Sequence, residues 1–188
     1  MKRIILGSNS PRRRELLAGL DIDFTVDTGN TFEESPEPGV EAHELPVHLS
    51  EGKSHGFHRP LEEDEVLITS DTVVIVDGEV LGKPHSREDA VRMLRLLSGR
   101  SHEVVTAVTI RDAFREESFS VSTRVVFEEL SQEEIDFYID RYQPFDKAGA
   151  YGIQEWIGYV GISSIEGSFY NVMGFPVHRV WRELQRFL

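Results

Sequence analysis

The chain has 188 residues, of which 39% are hydrophobic and 28% are charged, a composition that fits one folded domain and gives no sign of disorder. It contains no cysteine, which excludes disulfide bonds, thiolate catalysis and cysteine-ligated metal centres. The formal net charge of −13 argues against broad binding to a nucleic-acid backbone, whereas a small phosphorylated ligand needs only a local basic pocket.

Membrane and secretory signals are weak in this sequence. No stretch approaches the roughly 20 apolar residues that a membrane-spanning helix needs. Only three strongly apolar residues follow Met1-Lys2-Arg3, too few for the core of a signal peptide. We therefore expect a cytoplasmic protein that binds neither membranes nor nucleic acid.

The first predicted elements are an apolar strand at residues 4–6, a loop, and a helix over about residues 11–20. Ser10 suits the N-cap of that helix and Pro11 suits its first position. Backbone N–H groups at a helix start attract anions, and three arginines follow at positions 12–14. Two interpretations are open: a solvated basic helix face, or a phosphate-binding site behind the first strand.

A short strand is predicted over residues 23–27, and a loop rich in proline and acidic residues over residues 31–39. The acidic residues either form a solvated loop or offer a carboxylate to a divalent cation. Residues 40–58 have a weak helical pattern that Pro46 and Gly52 interrupt. We therefore expect a helix there that breaks or starts late.

The strongest strand prediction covers residues 65–76, which are almost continuously apolar, as in a strand buried on both faces. Ser70-Asp71-Thr72 interrupts the apolar run, and a buried charge is unfavourable without partners. Asp71 is therefore either a hydrogen-bonded residue at a strand end or bulge, or a functional carboxylate at a strand break. Asp77-Gly78 predicts a tight turn into a short strand at 79–81.

The remaining elements are regular on both sides of one unusual region. The pattern predicts a helix at 86–97, strands at about 102–111 and 117–127, a helix at 131–142 and a helix at 176–187. Between residues 144 and 176 glycine is frequent, which permits either close backbone approach to a ligand or tight turns. No repeat or linker divides the chain, so we expect a single domain over residues 1–188.

Six motifs occur in order along the chain. They are the segments 8–17 (Ser-Asn-Ser-Pro-Arg-Arg-Arg-Glu-Leu-Leu), 70–74 (Ser-Asp-Thr-Val-Val), 82–84 (Gly-Lys-Pro), 97–99 (Leu-Ser-Gly), 146–154 and 166–174. Together they resemble the Maf family of nucleoside triphosphate pyrophosphatases. The resemblance implies hydrolysis of a nucleoside triphosphate to the monophosphate and pyrophosphate. It also implies a mixed α/β fold, similar to the inosine-triphosphate pyrophosphatases, in which helices flank a twisted sheet and two lobes surround a central cleft.

The resemblance also implies roles for individual residues. Asp71 would be the catalytic carboxylate, and Glu34 and Asp71 would bind a divalent metal, Mg²⁺ or Mn²⁺, with no organic cofactor. The implied substrate-binding residues are Ser8, Arg12, Arg13, Lys53, Thr72, Lys83, Lys147 and Gln154. Arg12, Thr72 and Gln154 match the branch that acts on dTTP and UTP, and modified pyrimidine nucleotides are open as further substrates.

Physical chemistry is consistent with these roles. A triphosphate carries about four negative charges near neutral pH, so attack by water requires cations around it. Asp71 can accept the proton of a water that attacks the α-phosphorus. Thymine and uracil present two acceptors around one N–H donor, and the amide of Gln154 can supply a donor and an acceptor to that edge.

Two departures from the family pattern and two alternatives accompany this hypothesis. Pro46 and Gly52 interrupt the segment that carries Lys53, and Glu33 competes with Glu34 as the metal ligand. One alternative is a phosphotransferase or nucleotide-sugar enzyme, although the chain has no Gly-x-x-x-x-Gly-Lys-Ser/Thr loop. The other is a nucleotide-binding regulator of septum formation with little turnover. A homodimer is open as the assembly.

Overall fold

A computed structural model describes residues 2–35 and 38–188, and its fold is mixed α/β, as the resemblance implies. In this described part of the chain, seven strands form one sheet. They are β1 (Arg3–Leu6), β2 (Phe24–Val26), β3 (Glu65–Val76), β4 (Glu79–Leu81), β5 (Ser101–Arg111), β6 (Glu116–Phe127) and β7 (Ile162–Glu166). The strand order is β2-β1-β3-β5-β6-β7, and β4 pairs with β3. Strand β1 runs parallel to β2 and β3, whereas the β3–β4 and β6–β7 pairs are antiparallel.

The described residues form seven α-helices beside the sheet. They are α1 (Pro11–Ala18), α2 (Leu45–His55), α3 (Arg87–Leu97), α4 (Gln132–Tyr142), α5 (Trp156–Gly161), α6 (Phe169–Val172) and α7 (Val177–Leu184), with one 3₁₀ turn at Ala148–Ala150. Within residues 2–35 and 38–188, none of the helices combines the length and the apolar character needed to cross a membrane.

The chain divides into two compact units. The first contains residues up to 71 together with 106–121 and 174–188, and the second contains residues 72–105 and 122–173. Buried apolar side chains of the first unit include Leu6, Leu17 and Ile68. The second unit has its own buried cluster, to which helices α3 and α4 contribute Leu94 and Tyr138. Each unit therefore buries an apolar core of its own.

The predicted helix starts are confirmed by their hydrogen bonds. Ser10 Oγ accepts from the backbone N–H of Arg13 at 3.4 Å and Pro11 occupies the first turn of α1. Helix α4 opens with the predicted capping box between Ser131 and Glu134. The tight turn after β3 is also confirmed, because Asp77 and Gly78 both adopt positive φ, as a two-residue hairpin requires.

Four local predictions differ from the structure or are only partly described by it. The weak helical segment starts late, at Leu45, as one of the two expected alternatives, but Gly52 lies inside α2 and does not break it. Strand β3 continues through Asp71, so the expected strand end or break there was wrong. The glycine-rich region contains β7 and α5, which the sequence pattern did not predict. Of the predicted loop at 31–39, Pro36 and Glu37 lie outside the described residues.

Candidate active site

Strand β3 carries the predicted catalytic carboxylate, Asp71, inside an otherwise buried stretch. Ser70, the preceding residue, is buried and its hydroxyl donates to the carbonyl oxygen of Ala107 at 2.8 Å. The side chain of Asp71 is 14% exposed. A carboxylate so enclosed needs a cationic or donor partner, since burial alone would disfavour its charge.

Helix α2 supplies that partner, and α2 is attached to the sheet of the first unit through polar groups. Thr69 Oγ1 on β3 donates to the carbonyl of Ser50 at 2.7 Å, and the hydroxyls of Ser50 and Thr109 are 2.8 Å apart. One turn later, Arg111 donates to the hydroxyl of Ser54 at 2.9 Å. These contacts explain the weak pattern of this segment, because the helix buries serines where an amphipathic helix would bury apolar residues.

Lys53 lies on α2 with its ammonium between two carboxylates. Lys53 Nζ is 2.5 Å from Asp71 Oδ1 and 2.7 Å from Glu34 Oε1. Glu34, and not its neighbour Glu33, is therefore the acidic-loop carboxylate that contacts this lysine. Lys53 is 22% exposed and Glu34 55%, so the cluster has one enclosed end and one open end.

The first turn of α1 supplies Arg13, which is anchored to backbone oxygens. Its Nε donates to the carbonyl of Gly174 at 2.9 Å, and its Nη1 donates to the carbonyl of Ser70 at 3.0 Å. Ser8 Oγ accepts from the same Nη1 at 3.4 Å. Burial lowers the pKa of the Arg13 guanidinium, and the charge of Asp71 acts in the opposite direction. Arg13 thus joins the start of α1 to the residue that precedes Asp71.

The other two arginines of this turn differ in exposure. Arg12 is half-buried, whereas Arg14, which is not among the implied substrate-binding residues, is exposed. Ser8 accepts a second hydrogen bond, from the backbone N–H of Ser10 at 3.2 Å. The predicted residues Ser8, Arg13, Lys53 and Asp71 are thereby linked by contacts within the first unit.

The second unit groups the remaining predicted cations and the amide. Lys147 Nζ is 2.8 Å from Asp146 Oδ1 and 3.6 Å from Glu155 Oε1. Lys83 is exposed, on a loop whose Gly82 carbonyl accepts from the backbone N–H of Gly149 at 3.0 Å. This hydrogen bond joins the loop that carries Lys83 to the segment that carries Lys147. Thr72 directly follows Asp71 on β3 and is half-buried.

Gln154 is the predicted base-reading residue, and its carbonyl oxygen has an unusual environment. Oε1 is buried, and within the described part of the chain it accepts no hydrogen bond. A Cβ built on Gly152 would lie 3.0 Å from Lys147 Cε and 3.1 Å from Gln154 Nε2. Gly152 therefore leaves room for both side chains, and the Gln154 amide retains acceptor capacity for a further donor.

Glu155 and Tyr138 belong to this second group although the sequence did not indicate them. The Tyr138 hydroxyl donates to Glu155 Oε1 at 2.7 Å and accepts from the backbone N–H of Gly152 at 2.9 Å. Burial, followed by the hydrogen bond to Glu155, raises the pKa of Tyr138, which keeps the hydroxyl protonated as a donor. The available signal was an acidic residue next to Gln154, whereas Tyr138 was hidden among the apolar positions of α4.

The donor set of the first unit fits a divalent cation. Carboxylate oxygens are the ligands that Mg²⁺ and Mn²⁺ prefer, and those of Glu34 and Asp71 converge on one positive charge, the ammonium of Lys53. Among the residues that the structure describes, no group of three or more His, Asp or Glu side chains is arranged to hold a metal. A cation here would therefore have two carboxylates from the protein and would need other oxygens as further ligands.

The chain is similar to known proteins over nearly its whole length. The family model described as Maf-like protein matches residues 3–187. A dTTP/UTP pyrophosphatase from Porphyromonas gingivalis is 52% identical over 187 residues, which cover 98% of this chain and 94% of the relative. A dTTP/UTP pyrophosphatase from Bacteroides thetaiotaomicron is 50% identical over 184 residues, with coverages of 98% and 95%. The solved structure of a HAM1 protein from Coxiella burnetii, 15% identical, has a TM-score of 0.50 over 99% of this chain and 100% of that chain, a likeness of fold alone.

Proposed function

Because this chain belongs to the Maf family, we propose that it is a nucleoside triphosphate pyrophosphatase that hydrolyses dTTP and UTP to the monophosphate and pyrophosphate. Relatives at 52% and 50% identity, each aligned over nearly its whole length, carry the name dTTP/UTP pyrophosphatase. The observation that carries the proposal is the ion cluster of Asp71, Lys53 and Glu34. It combines a candidate base, a cation and a second carboxylate, which hydrolysis of a phosphoanhydride requires.

Charge is the first requirement of the reaction. The chain as a whole has a formal net charge of −13, so a triphosphate would be repelled unless local cations outweigh it. We assign this role to Arg12, Arg13 and Lys53 in the first unit and to Lys83 and Lys147 in the second. Arginine suits phosphate through its planar pairs of donors, and lysine adds a mobile point charge. Ser8 adds a hydroxyl beside Arg13.

Proton transfer is the second requirement, and Asp71 is the proposed base. It takes a proton from the water that attacks the α-phosphorus, and pyrophosphate leaves. Glu34 and Asp71 would hold Mg²⁺ or Mn²⁺, which when bound neutralises phosphate charge and lowers the pKa of a bound water. Lys53 contacts both carboxylates, so its ammonium is placed to balance their charge and to move toward a phosphate oxygen when substrate binds.

Recognition of the base is the third requirement. The buried Oε1 of Gln154 can accept from the N3–H of thymine or uracil, while the amide N–H₂ donates to a neighbouring carbonyl of the base. A site that hydrogen-bonds its substrate discriminates strongly against a base with the wrong edge, because its polar groups are then left unpaired. Arg12 and Thr72 occupy the other two positions that match the dTTP/UTP branch.

A substrate screen tests the proposal. Common and modified nucleoside triphosphates are incubated with the protein and Mg²⁺ or Mn²⁺, and pyrophosphate and monophosphate are measured separately. We expect dTTP and UTP, with their modified forms, to be the preferred substrates and to give the two products in equal amounts. Release of inorganic phosphate would contradict the proposal. Tight binding of nucleotide without turnover would instead support the regulator of septum formation.

A further inference from the structure

Two glycines face the acidic loop, Gly52 inside α2 and Gly56 directly after its last residue, and each is required by a contact rather than by its backbone conformation. A Cβ built on Gly52 would lie 2.3 Å from Cε2 of Phe32, and a Cβ built on Gly56 would lie 2.7 Å from Cβ of Phe32. Gly52 is inside the helix and Gly56 has φ of −79°, so neither needs the freedom of glycine for its own dihedral angles. The two positions are four residues apart and share one face of the helix.

Hydrogen bonds hold the loop in the same place. The backbone N–H of Thr31 donates to the carbonyl of Gly56 at 2.8 Å, and Asn30 Nδ2 donates to the carbonyl of Lys53 at 2.6 Å. Asn30 Oδ1 accepts from the backbone N–H of Phe32 at 2.8 Å. Carbonyls at the end of a helix lack intrahelical partners, so the loop satisfies groups that α2 leaves open. We call the surface formed by Gly52 and Gly56 the glycine seat.

The residues of the glycine seat and its Phe32 contact are close in sequence to residues of the ion cluster. Gly52 comes directly before Lys53, and Phe32 comes two residues before Glu34. The same two segments meet again at the cluster, where Glu34 Oε1 lies 2.7 Å from Lys53 Nζ. Glu34 is itself 55% exposed, so its own surroundings do little to fix it. The contact of Phe32 with the glycine seat acts together with the hydrogen bonds of the loop to hold it against α2.

We propose that the glycine seat positions Glu34 for the reaction, with Phe32 as the side chain that transmits the position. This inference rests on the proposed function, because it assigns Glu34 a part in the turnover of the same site. A side chain at position 52 would push the Phe32 ring and the loop away from α2. The Glu34 carboxylate would then move away from Lys53 and Asp71. Phe32, Gly52 and Gly56 are thus positioning residues, whereas Glu34 itself contacts the cluster.

Three variants test this inference with dTTP as substrate: Gly52→Ala, Glu34→Gln and the double variant. We expect Gly52→Ala to lower kcat by about tenfold or more, since small displacements in an active site have effects of this order. The effect should vanish in the Glu34→Gln background, because there is no longer a carboxylate to misplace. Gly19→Ala is the matched control, since Gly19 caps α1 with φ of −64° and its Cβ would meet only helix carbonyls, the nearest at 3.3 Å.

Several outcomes would overturn the inference. Gly52→Ala and Glu34→Gln could reduce kcat independently, so that the losses multiply, or Gly52→Ala could leave kcat unchanged. If Gly52→Ala does not fold, Phe32→Ala replaces it, since that change leaves the helix intact. Lack of dTTP or UTP hydrolysis by the wild-type chain would instead count against the proposed function.

A measurement made without substrate distinguishes a failure of this inference from a failure of the proposed function. Amide hydrogen exchange should become faster at Thr31 and Phe32 in Gly52→Ala, because both N–H groups donate hydrogen bonds that depend on the seat. Exchange in α7 should stay as in the wild type. Unchanged exchange at Thr31 and Phe32 would contradict the inference whatever the activity.

Discussion

Lys53 and Lys147 each contact two carboxylates. The carboxylates around Lys53 are far from it in the sequence, whereas those around Lys147 are close to it. Lys53 on α2 contacts Asp71 at 2.5 Å and Glu34 at 2.7 Å, from β3 and from the acidic loop. Lys147 contacts Asp146, its neighbour in the chain, at 2.8 Å, and Glu155 at 3.6 Å. The first cluster exists only when three separate segments have folded together, whereas the second is assembled within one short segment.

The difference separates two proposed roles. In the first cluster the lysine contacts both carboxylates that we assign to the reaction, so its loss would leave their mutual repulsion less compensated. In the second cluster Glu155 also accepts from the Tyr138 hydroxyl at 2.7 Å, so the longer contact to Lys147 is a shared one. We therefore expect changes in the Lys53 cluster to affect kcat, and changes in the Lys147 cluster to affect KM.

The largest effect is expected from Asp71→Asn, compared with Asp146→Asn as the corresponding change beside Lys147. Loss of the proposed base should lower kcat by a factor on the order of 10⁴, the upper range for general-base catalysis. Asp146→Asn should lower kcat/KM by less than about tenfold, since its side chain is 53% exposed and such pairs contribute little. Pyrophosphate release and thermal unfolding are measured for both variants. Equal losses of kcat would show that the two clusters are equivalent.

The next largest difference is expected between Lys53→Met and Lys147→Met, which remove the two ammonium groups and keep most of each stem. Lys53→Met should lower kcat by about 10²- to 10³-fold, the usual effect of removing one electrostatic contact to a transition state. Lys147→Met should raise KM by about tenfold and leave kcat within a few-fold, as expected for loss of uniform binding. Steady-state kinetics with dTTP distinguish a loss of kcat from a rise in KM. If Lys53→Met mainly raised KM and Lys147→Met mainly lowered kcat, the two roles would have to be assigned the other way round.

The same contrast explains what the sequence could predict. The helix starts at Ser10 and Ser131 follow from capping residues, which act locally. The turn at Asp77-Gly78 follows from the need for positive φ. The resemblance implied Lys53, Asp71 and Lys147 as site residues but gave no geometry for them. The helix starts and the turn depend on neighbours in the chain, and local pattern was sufficient for them.

Tertiary contacts account for what was missed. Helix α2 packs through Ser50 and Ser54, so its buried face carries no apolar stripe for a periodicity search to find. Gly52 appeared to interrupt this helix, but it is there because the Phe32 ring occupies the space of a side chain. Tyr138 reads as a core residue of α4, and only the fold shows that its hydroxyl reaches Glu155.

A pH experiment examines the support of the segment that carries Lys147. His102 Nε2 lies 2.6 Å from the hydroxyl of Tyr151, between Lys147 and Gln154 in the sequence. Burial lowers the pKa of His102 to about 4. Between that value and the ordinary pKa of about 6.5, the unfolded chain binds a proton that the folded chain does not. The stability that neutral His102 contributes is therefore complete above about pH 6.5 and is lost as the pH falls toward 4.

The expected size of this loss is about 3 kcal/mol in the free energy of unfolding, from the shift of the His102 pKa. Denaturant unfolding of the wild type and His102→Gln, at neutral pH and at about pH 4.5, measures it as a difference in acid sensitivity. His102→Gln should lose less stability on acidification, while the exposed control His85→Gln should behave as the wild type. Equal acid sensitivity of all three proteins would rule out His102 as the source.

The smallest effect is expected from Tyr138→Phe, which tests whether Glu155 is held for Lys147. The change removes the donor to Glu155 and leaves the buried N–H of Gly152 without its acceptor, at a cost of about 1–2 kcal/mol in unfolding free energy. KM should rise a few-fold with little change in kcat, since Glu155 would turn toward solvent and release Lys147. Tyr142→Phe is the matched control, because its ring stacks on Tyr138 at 5.2 Å and the same hydroxyl is removed. If both variants lose the same stability and keep the wild-type KM, Tyr138 supports only the packing of α4 and the Lys147 cluster is held by its own segment.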